Sequence, residues 1–368
     1  MINPTINILN PDLTLKLQIK NLIFSTWQRN MFKPTLVKLK LPPQYFTKIN
    51  IDDIIHLVGT HDIAVVIKKR YYSEVKNREV NEYVEVEALT GLSILNWRRV
   101  IPPSGHEYDS ASGAVETVLK HFVNSQCVNP ENSDRKIPNL IIAEDLQRGQ
   151  NIAIDLRFQK IGDELYKLAE AYDLGHHIYL DAQNRQLIYD VFEGVDKSAS
   201  QTTNNRVIFS DAFKNIYSEE IIVDGKGEAN YAYVGGQGTG IDRVIAEVGT
   251  TTGYGRKELF VDARDSLDAD LPLRGQEELA KRARILSIKA RVLPDRKNAE
   301  YRKDWDLGDI VTVWLKKFGI RQDLRITQIT EIYDKDGFKL DVVFGKEVRT
   351  FYDAVKNSLQ SLDVIKNV

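Results

Sequence analysis

The sequence has one cysteine, Cys127, in 368 residues. That excludes a disulfide framework and any zinc centre built from several thiolates. Histidine is also scarce, with six scattered residues. Charge of one sign is missing: 50 Lys+Arg against 52 Asp+Glu leave a net charge of −2. A sequence-reading nucleic-acid binder would carry a strong basic excess, so that class is disfavoured, although a local basic patch stays compatible. No apolar run reaches the roughly 18 residues that a membrane span needs. The opening stretch MINPTINILNPDLTLK has no basic end followed by an apolar segment, so no secretory signal is expected and synthesis in a cytoplasm is. What is present is 42% hydrophobic and 28% charged. That suffices for real cores and is too apolar for a disordered chain. The length predicts about two to four domains.

Residues 5–90 alternate apolar and polar side chains, as in Leu13, Leu15, Leu17 and Ile19, in LVKLKL at 36–41 and in YVEVEAL at 83–89. A two-residue period buries one face and wets the other, which predicts antiparallel sheet. The polar segment 76–79 suits a hairpin loop. From about Pro102 the period changes to that of a helix through Val115, Val118, Leu119, Phe122 and Val123, with Asp109, Ser110 or Ser112 as candidate cap. A polar loop is expected over 126–136, followed by a second helix with Ile161, Leu165, Leu168, Ala169 and Tyr172, stopped by Gly175. Residues 178–191 read as a hairpin, so about 103–205 is expected to be α+β. Strands resume at Val207. A third helix opens after Pro272 with Leu279, Ala283 and Leu286 as its apolar stripe, strands return over 309–344, and 351–365 is spaced like an amphipathic helix.

The most informative feature is a weak internal repeat. Asp53-Ile54-Ile55, then the run from His61 and Asp62 to Ile67, then Tyr83–Val86 parallel Asp309-Ile310-Val311, then the run from Gln322 and Asp323 to Thr327, then 338–342. Asp53 and Val84 are as far apart as Asp309 and Leu340. A longer first connection in the second copy is balanced by a shorter hairpin at 334–337. One β-unit used twice explains this; so does the general likeness of antiparallel meanders. A duplicated unit lets an oligomer present twice as many similar surfaces as it has chains.

Motifs that carry chemistry are few. The loop GGQGTG at 235–240 follows a strand but leads through Ile241-Asp242-Arg243 into another strand, without the helix N-terminus that a phosphate site needs. It reads as a turn. His176 and His177 are adjacent in a strand and point to opposite faces, so they do not share a metal; His56 and His61 do no better. Cys127 with His121 nearby lacks an orienting third group. No spacing singles out a carboxylate pair, and no Gly-x-Ser-x-Gly elbow occurs. No catalytic, metal or cofactor residue is therefore assigned, and no enzyme activity is expected. Trp27, Trp97, Trp305 and Trp314 with 16 tyrosines are either interface anchors or members of local cores.

Four stretches, in order, carry a resemblance: NLIFSTWQRN at 21–30 before Phe32-Lys33-Pro34; ILNWRRVIPPSG at 94–105; GQGTG at 236–240 with Arg243; and RKELFVDARD at 256–265. Over about residues 10–348 the chain resembles the tail-hub proteins of long-tailed bacteriophages and prophages, the tail-associated or baseplate-hub-like family. The resemblance implies an α+β fold, predominantly antiparallel β, with two related β-barrel domains, an inserted α+β domain and a C-terminal helix. It implies a homotrimer whose six barrels form a ring of approximate six-fold symmetry. That ring would dock the tail tube protein and contact the distal tail protein and tail-tip, fibre or receptor-binding proteins. It would gate phage DNA, which passes without sequence-specific binding. The implied location is the virion tail tip. Many relatives continue into peptidase, lysozyme-like or receptor-binding extensions, so wall degradation is expected from another protein.

The expected domains are a first barrel at 1–105, an α+β domain at 106–205, a second barrel split over 206–262 and 295–348, a helical insertion at 263–294 and a helical tail at 349–368. Through the repeat, the loops around Asp53, His56 and Asp62 and around Trp305, Asp309, Trp314 and Asp323 are the candidate tube-facing or barrel–barrel contacts. The competing readings are a wall hydrolase on a hub scaffold and a carbohydrate-binding β-module, the latter requiring aromatic side chains exposed in a groove.

Overall fold

The computed structural model describes residues 4–76, 79–264, 267–296 and 299–346. The chain divides into two units, Met1–Glu219 with Lys289–Phe344, and Glu220–Ile288 with the segment from Gly345 onward. The candidate tail helix at 349–368 lies outside the described residues.

The first unit is built on a long antiparallel sheet. Its strands run in the spatial order Gly337–Gly345, Ile320–Asp334, Phe24–Asn30, Leu36–Leu41, Glu79–Thr90, Ile63–Lys76, Ile54–Leu57, Ile6–Leu9 and Leu15–Ile19. Each alternating run becomes a strand because its apolar positions face one core: Val37, Leu39 and Leu41 are buried with Val84, Val86 and Ala88. The path is open, and among the described residues no closed barrel is traced. The fold is thus mostly antiparallel β with few helices, as expected.

The α+β module packs the helices Val115–Val123 and Ile161–Ala171 against the hairpin Gly175–Asp181/Gln186–Phe192. The strand Leu140–Ile142 adds to that hairpin in parallel. Two local expectations change. Asp109, Ser110 and Ser112 cap nothing, because Asp109–Ala114 is itself a strand paired with Asn151–Leu156, and Ala114 is the cap residue without a side-chain bond. Gly175 is not the helix stop either. Asp173 takes the left-handed turn, at φ 55°. Gly175 opens the next strand, where a Cβ would come within 2.4 Å of the Phe192 ring. Close packing, and not a turn, demands this glycine.

The second unit has Tyr231–Gly235 at its centre, antiparallel to Ile245–Val248 and parallel to Glu258–Asp262. The helix Leu271–Lys281 covers one face, over Ala232, Val234 and Val261. The helix ends before Ala283 and Leu286, so these two belong to no helical stripe; Leu271 and Gly275 are its buried residues. The glycine loop is filled by its own chain. Arg243 donates to the carbonyls of Gly235 (2.9 Å) and Gly236 (3.1 Å) and pairs with Asp262 (2.5 Å).

Candidate functional site

The chain uses one turn twice. Asp52 (φ 68°) and Gly308 (φ 93°) take the left-handed conformation and redirect the backbone into Asp53 and Asp309. Asp53 accepts the Asn50 N–H at 2.7 Å, and Asp309 accepts the Asp306 N–H at 3.0 Å, each three residues back. Both carboxylates are buried and each takes a lysine from elsewhere, Lys16 at 2.7 Å and Lys197 at 2.8 Å. Asp52 N–H donates to Val66 O and Val66 N–H to Asp53 O, both at 2.9 Å; Gly308 and Asp309 repeat this with Ile326 at 2.8 Å. Directly beyond, a β-bulge falls between Val66 and Lys68 opposite Ala88 and Glu87. Another falls between Ile326 and Gln328 opposite Phe344 and Val343. A bulge fixes twist and register, so its recurrence at one place in two meanders is a specific likeness.

Register also corrects one equivalence. His56 stands opposite Ile63, and Thr312 opposite Asp323. Counted from the turns, Asp323 therefore matches Ile63, and Asp62 matches Gln322. The longer first connection of the second copy hides this one-residue slip, which exchanges the faces of a strand.

The two meanders join where Phe24–Asn30 pairs antiparallel with Ile320–Asp334, from Tyr333 opposite Ser25 to Gln328 opposite Asn30. An ion network locks the seam. Arg29 donates to Asp306 (2.6 Å) and to Tyr301 Oη (2.9 Å). Arg302 donates to Asp62 (2.6 Å) and Glu331 (2.6 Å). The hydroxyls of Tyr301 (2.8 Å) and Tyr333 (2.9 Å) also donate to Glu331. Burial works against the Asp62 charge, but Arg29 and Arg302 outweigh it and hold this carboxyl below the usual range. Burial and Arg29 likewise oppose the Arg302 charge, and Asp62, Tyr301 and Glu331 more than offset them. A cavity of about 180 Å³ beside the seam is lined by Trp27, Arg29, Asp62, His177, Phe192 and Asp306 among others. Among the described residues the buried Trp27 indole N–H has no hydrogen-bond partner.

The remaining candidates are spread out. His56 bonds the Thr60 carbonyl (2.9 Å). Trp305 is buried and donates to Ala299 O (2.7 Å). Asp323 accepts from Ser200 and Thr312. Trp314 lies half-buried between Lys316 and Arg321. Trp97 is half-exposed, whereas Trp27 is buried. His176 is buried between Phe32 O (2.8 Å) and Tyr189 Oη (3.0 Å), while His177 reaches the cavity with its ring against Tyr179 and Phe192. Among the described residues no group of three or more His, Cys, Asp or Glu is placed to hold a metal ion, and no helix is long and apolar enough to cross a membrane. The Arg29–Arg302–Glu331 seam went unseen in the sequence. Its only trace there is a charged residue at an inward position of an alternating strand.

A family model described as Siphovirus ReqiPepy6 Gp37-like protein matches residues 5–346. No curated protein matches the sequence. Among solved structures, the 43 kDa tail protein of prophage MuSo2 from Shewanella oneidensis is 12% identical with a TM-score of 0.61, over 93% of this chain and 97% of that one. The tail protein from Neisseria meningitidis MC58 is 13% identical with a TM-score of 0.60, over 94% and 97%. The prophage tail protein gp18 from Listeria monocytogenes EGD-e is 11% identical with a TM-score of 0.53, over 99% of both chains. At these identities the likeness is one of fold.

Proposed function

The chain belongs to the siphovirus ReqiPepy6 Gp37-like family, and from that premise we propose that it is a structural hub of a phage tail tip or baseplate. The observation that carries the reading is the repeated turn, strand and bulge at Asp53 and Asp309. Two like meanders per chain give a trimer six, which matches a six-fold tube ring. In this reading the meander within about 1–105 and the one within about 206–219 with 289–344 are two related barrels, completed by curvature and by neighbours in the ring. The trimer docks the tube, nucleates or ends it, and passes DNA on ejection. It works by assembly and not by catalysis. The residues around Asp62 and Trp314, which keep some exposure, are the better contact candidates; Asp53, Trp305 and Asp309 act by holding their loops in shape.

The test is light scattering with end-on electron microscopy of the purified protein, alone and with tube protein. A three-fold ring with a central hole and six lobes is the expected result. A chain that stays monomeric with tube protein present would remove the mechanism.

A further inference from the structure

The near-neutral total charge hides a local excess of one sign. On the second meander, Arg206, Lys214, Arg296, Lys316, Lys317 and Arg321 are all exposed. Among the described residues none of them stands in an ion pair with a carboxylate. Elsewhere on the sheet Lys68 pairs with Glu87 (3.5 Å), Arg70 with Glu85 (2.6 Å) and Lys339 with Asp334 (2.7 Å). The acids on the same segments as the unpaired cations are Asp211, Asp295 and Asp323. Asp211 accepts the N–H groups of Ala212 (2.7 Å), Lys316 (3.1 Å) and Lys317 (3.3 Å). Asp323 accepts the hydroxyls of Ser200 and Thr312. Asp295 is exposed beside Arg296. Half as many carboxylates as cations leave this face basic, and a basic face attracts polyanions.

Aromatic rings are interleaved with these charges. Phe213 (45%) and Phe318 (50%) are exposed. Trp314 is half-buried, with the Lys316 ammonium 5.0 Å and the Arg321 guanidinium 5.7 Å from its ring centre. Phe213 meets the same ring edge-on, with centres 6.1 Å apart. The Lys317 ammonium lies 5.0 Å from the Phe318 ring centre. These contacts join the hairpin tip at 316–318 and the loop at 211–215 into one surface. A groove of about 480 Å³ continues from Phe213 and is lined by Arg206, Lys214 and Arg296 among others. The matching turn of the first meander, 58–62, carries no lysine or arginine. Under the hub reading a six-fold tube ring would meet this face on only half of the meanders, so tube docking does not account for it.

We propose that this face binds a single nucleic-acid strand without reading its sequence. The lysines and arginines take phosphates, and the exposed rings of Phe213 and Phe318 take unpaired bases. An acidic peptide would use the cations and leave the rings without a flat partner. A duplex would reach the cations and not the rings, because its bases are already stacked on one another. The proposal goes beyond the hub reading and does not need the chain to be a trimer.

The experiment uses the full chain and a fluorescent oligothymidylate of about 20 nucleotides, read by anisotropy across a salt series. Binding is expected at low salt, with a log–log slope that flattens by about 0.7 for each phosphate contact removed. Lys214→Asn, Lys316→Gln and Lys317→Gln together are expected to weaken it by about tenfold or more. Asn suits position 214, where φ is 53°. Lys68→Gln, Arg70→Gln and Lys339→Gln together remove the same charge from paired positions and are expected to leave the slope unchanged. Phe318→Ala is expected to weaken the single strand by about fivefold or more and to leave a duplex of the same length unaffected. Matched melting curves establish that each variant folds. No binding at low salt, equal losses in the two triple variants, or a duplex bound more tightly than the single strand overturns the proposal. Polyglutamate of equal charge bound as tightly as the oligonucleotide also overturns it, in favour of an acidic protein. None of these readouts depends on the oligomeric state, so the hub reading stands or falls separately.

Discussion

Asp53 and Asp309 occupy the same place in two turns: each accepts the N–H three residues back, each pairs with a distant lysine, and each precedes the same bulged ladder. A buried carboxylate with this many partners organises its loop, because the loop must satisfy it. Removing one member of a fully buried ion pair costs about 3–5 kcal/mol. Lys16 and Lys197 keep 22% and 19% side-chain exposure, which discounts that figure. Asp53→Ala and Asp309→Ala are each expected to lose about 2–3 kcal/mol in urea unfolding. Asn at either site keeps the backbone bond and is expected to lose less. Costs that differ widely between the two sites would argue against equivalent turns.

Acid is expected to destabilise the first unit through two histidines. Burial pushes His176 and His177 down to about 4. His176 is held neutral: its Nε2–H donates to Phe32 O and its Nδ1 accepts from the Tyr189 hydroxyl. Above pH 6.5 both rings are neutral folded or unfolded, so neither contributes. Between about 6.5 and 4 the unfolded chain binds protons that the folded chain does not, so stability falls as pH falls. Melting temperature should drop between pH 7 and pH 5, and His177→Gln should flatten that slope. An unchanged slope would show that His177 titrates normally.

Gly175→Ala is expected to cost about 1–3 kcal/mol, the usual price of overpacking. The added methyl would meet the Phe192 ring at 2.4 Å. In a Phe192→Leu background the same change should cost under about 1 kcal/mol, and a double-mutant cycle reads the difference. Equal costs in both backgrounds would locate the strain in the backbone instead.

Cys127 is expected to be silent toward thiol reagents in the folded protein. Burial pushes its thiol up to about 12, against the opposing charges of Arg98 and Arg135, and the side chain has no exposed surface. The thiolate is the reacting form. Ellman's reagent at pH 8 should therefore find no thiol until denaturant is added, and then one per chain. Rapid labelling of the native protein would mean that this helix end opens readily.

Much of the fold was legible because burial writes a period into the chain. The strands at 36–41 and 83–89 and the helices Val115–Val123 and Ile161–Ala171 follow directly from it. Caps and stops were misread where a residue's reason is tertiary. Gly175 answers to Phe192, and Asp109 to His121, Ser125 and Gln126, which all bond its carboxylate. The Asp62–Asp323 equivalence failed because connection length is invisible to spacing until pairing is known.

By itself the sequence determined the alternating strands, the α+β module between them and the recurrence of Asp-Ile-Ile and Asp-Ile-Val at matched distances, since local period and spacing reside in the chain. Only the tertiary structure decided that Phe24–Asn30 pairs with Ile320–Asp334 and that Arg29, Arg302 and Glu331 share one seam. Those facts depend on which edges meet across some three hundred residues, and backbone hydrogen bonds between strands are made by groups that every residue carries alike.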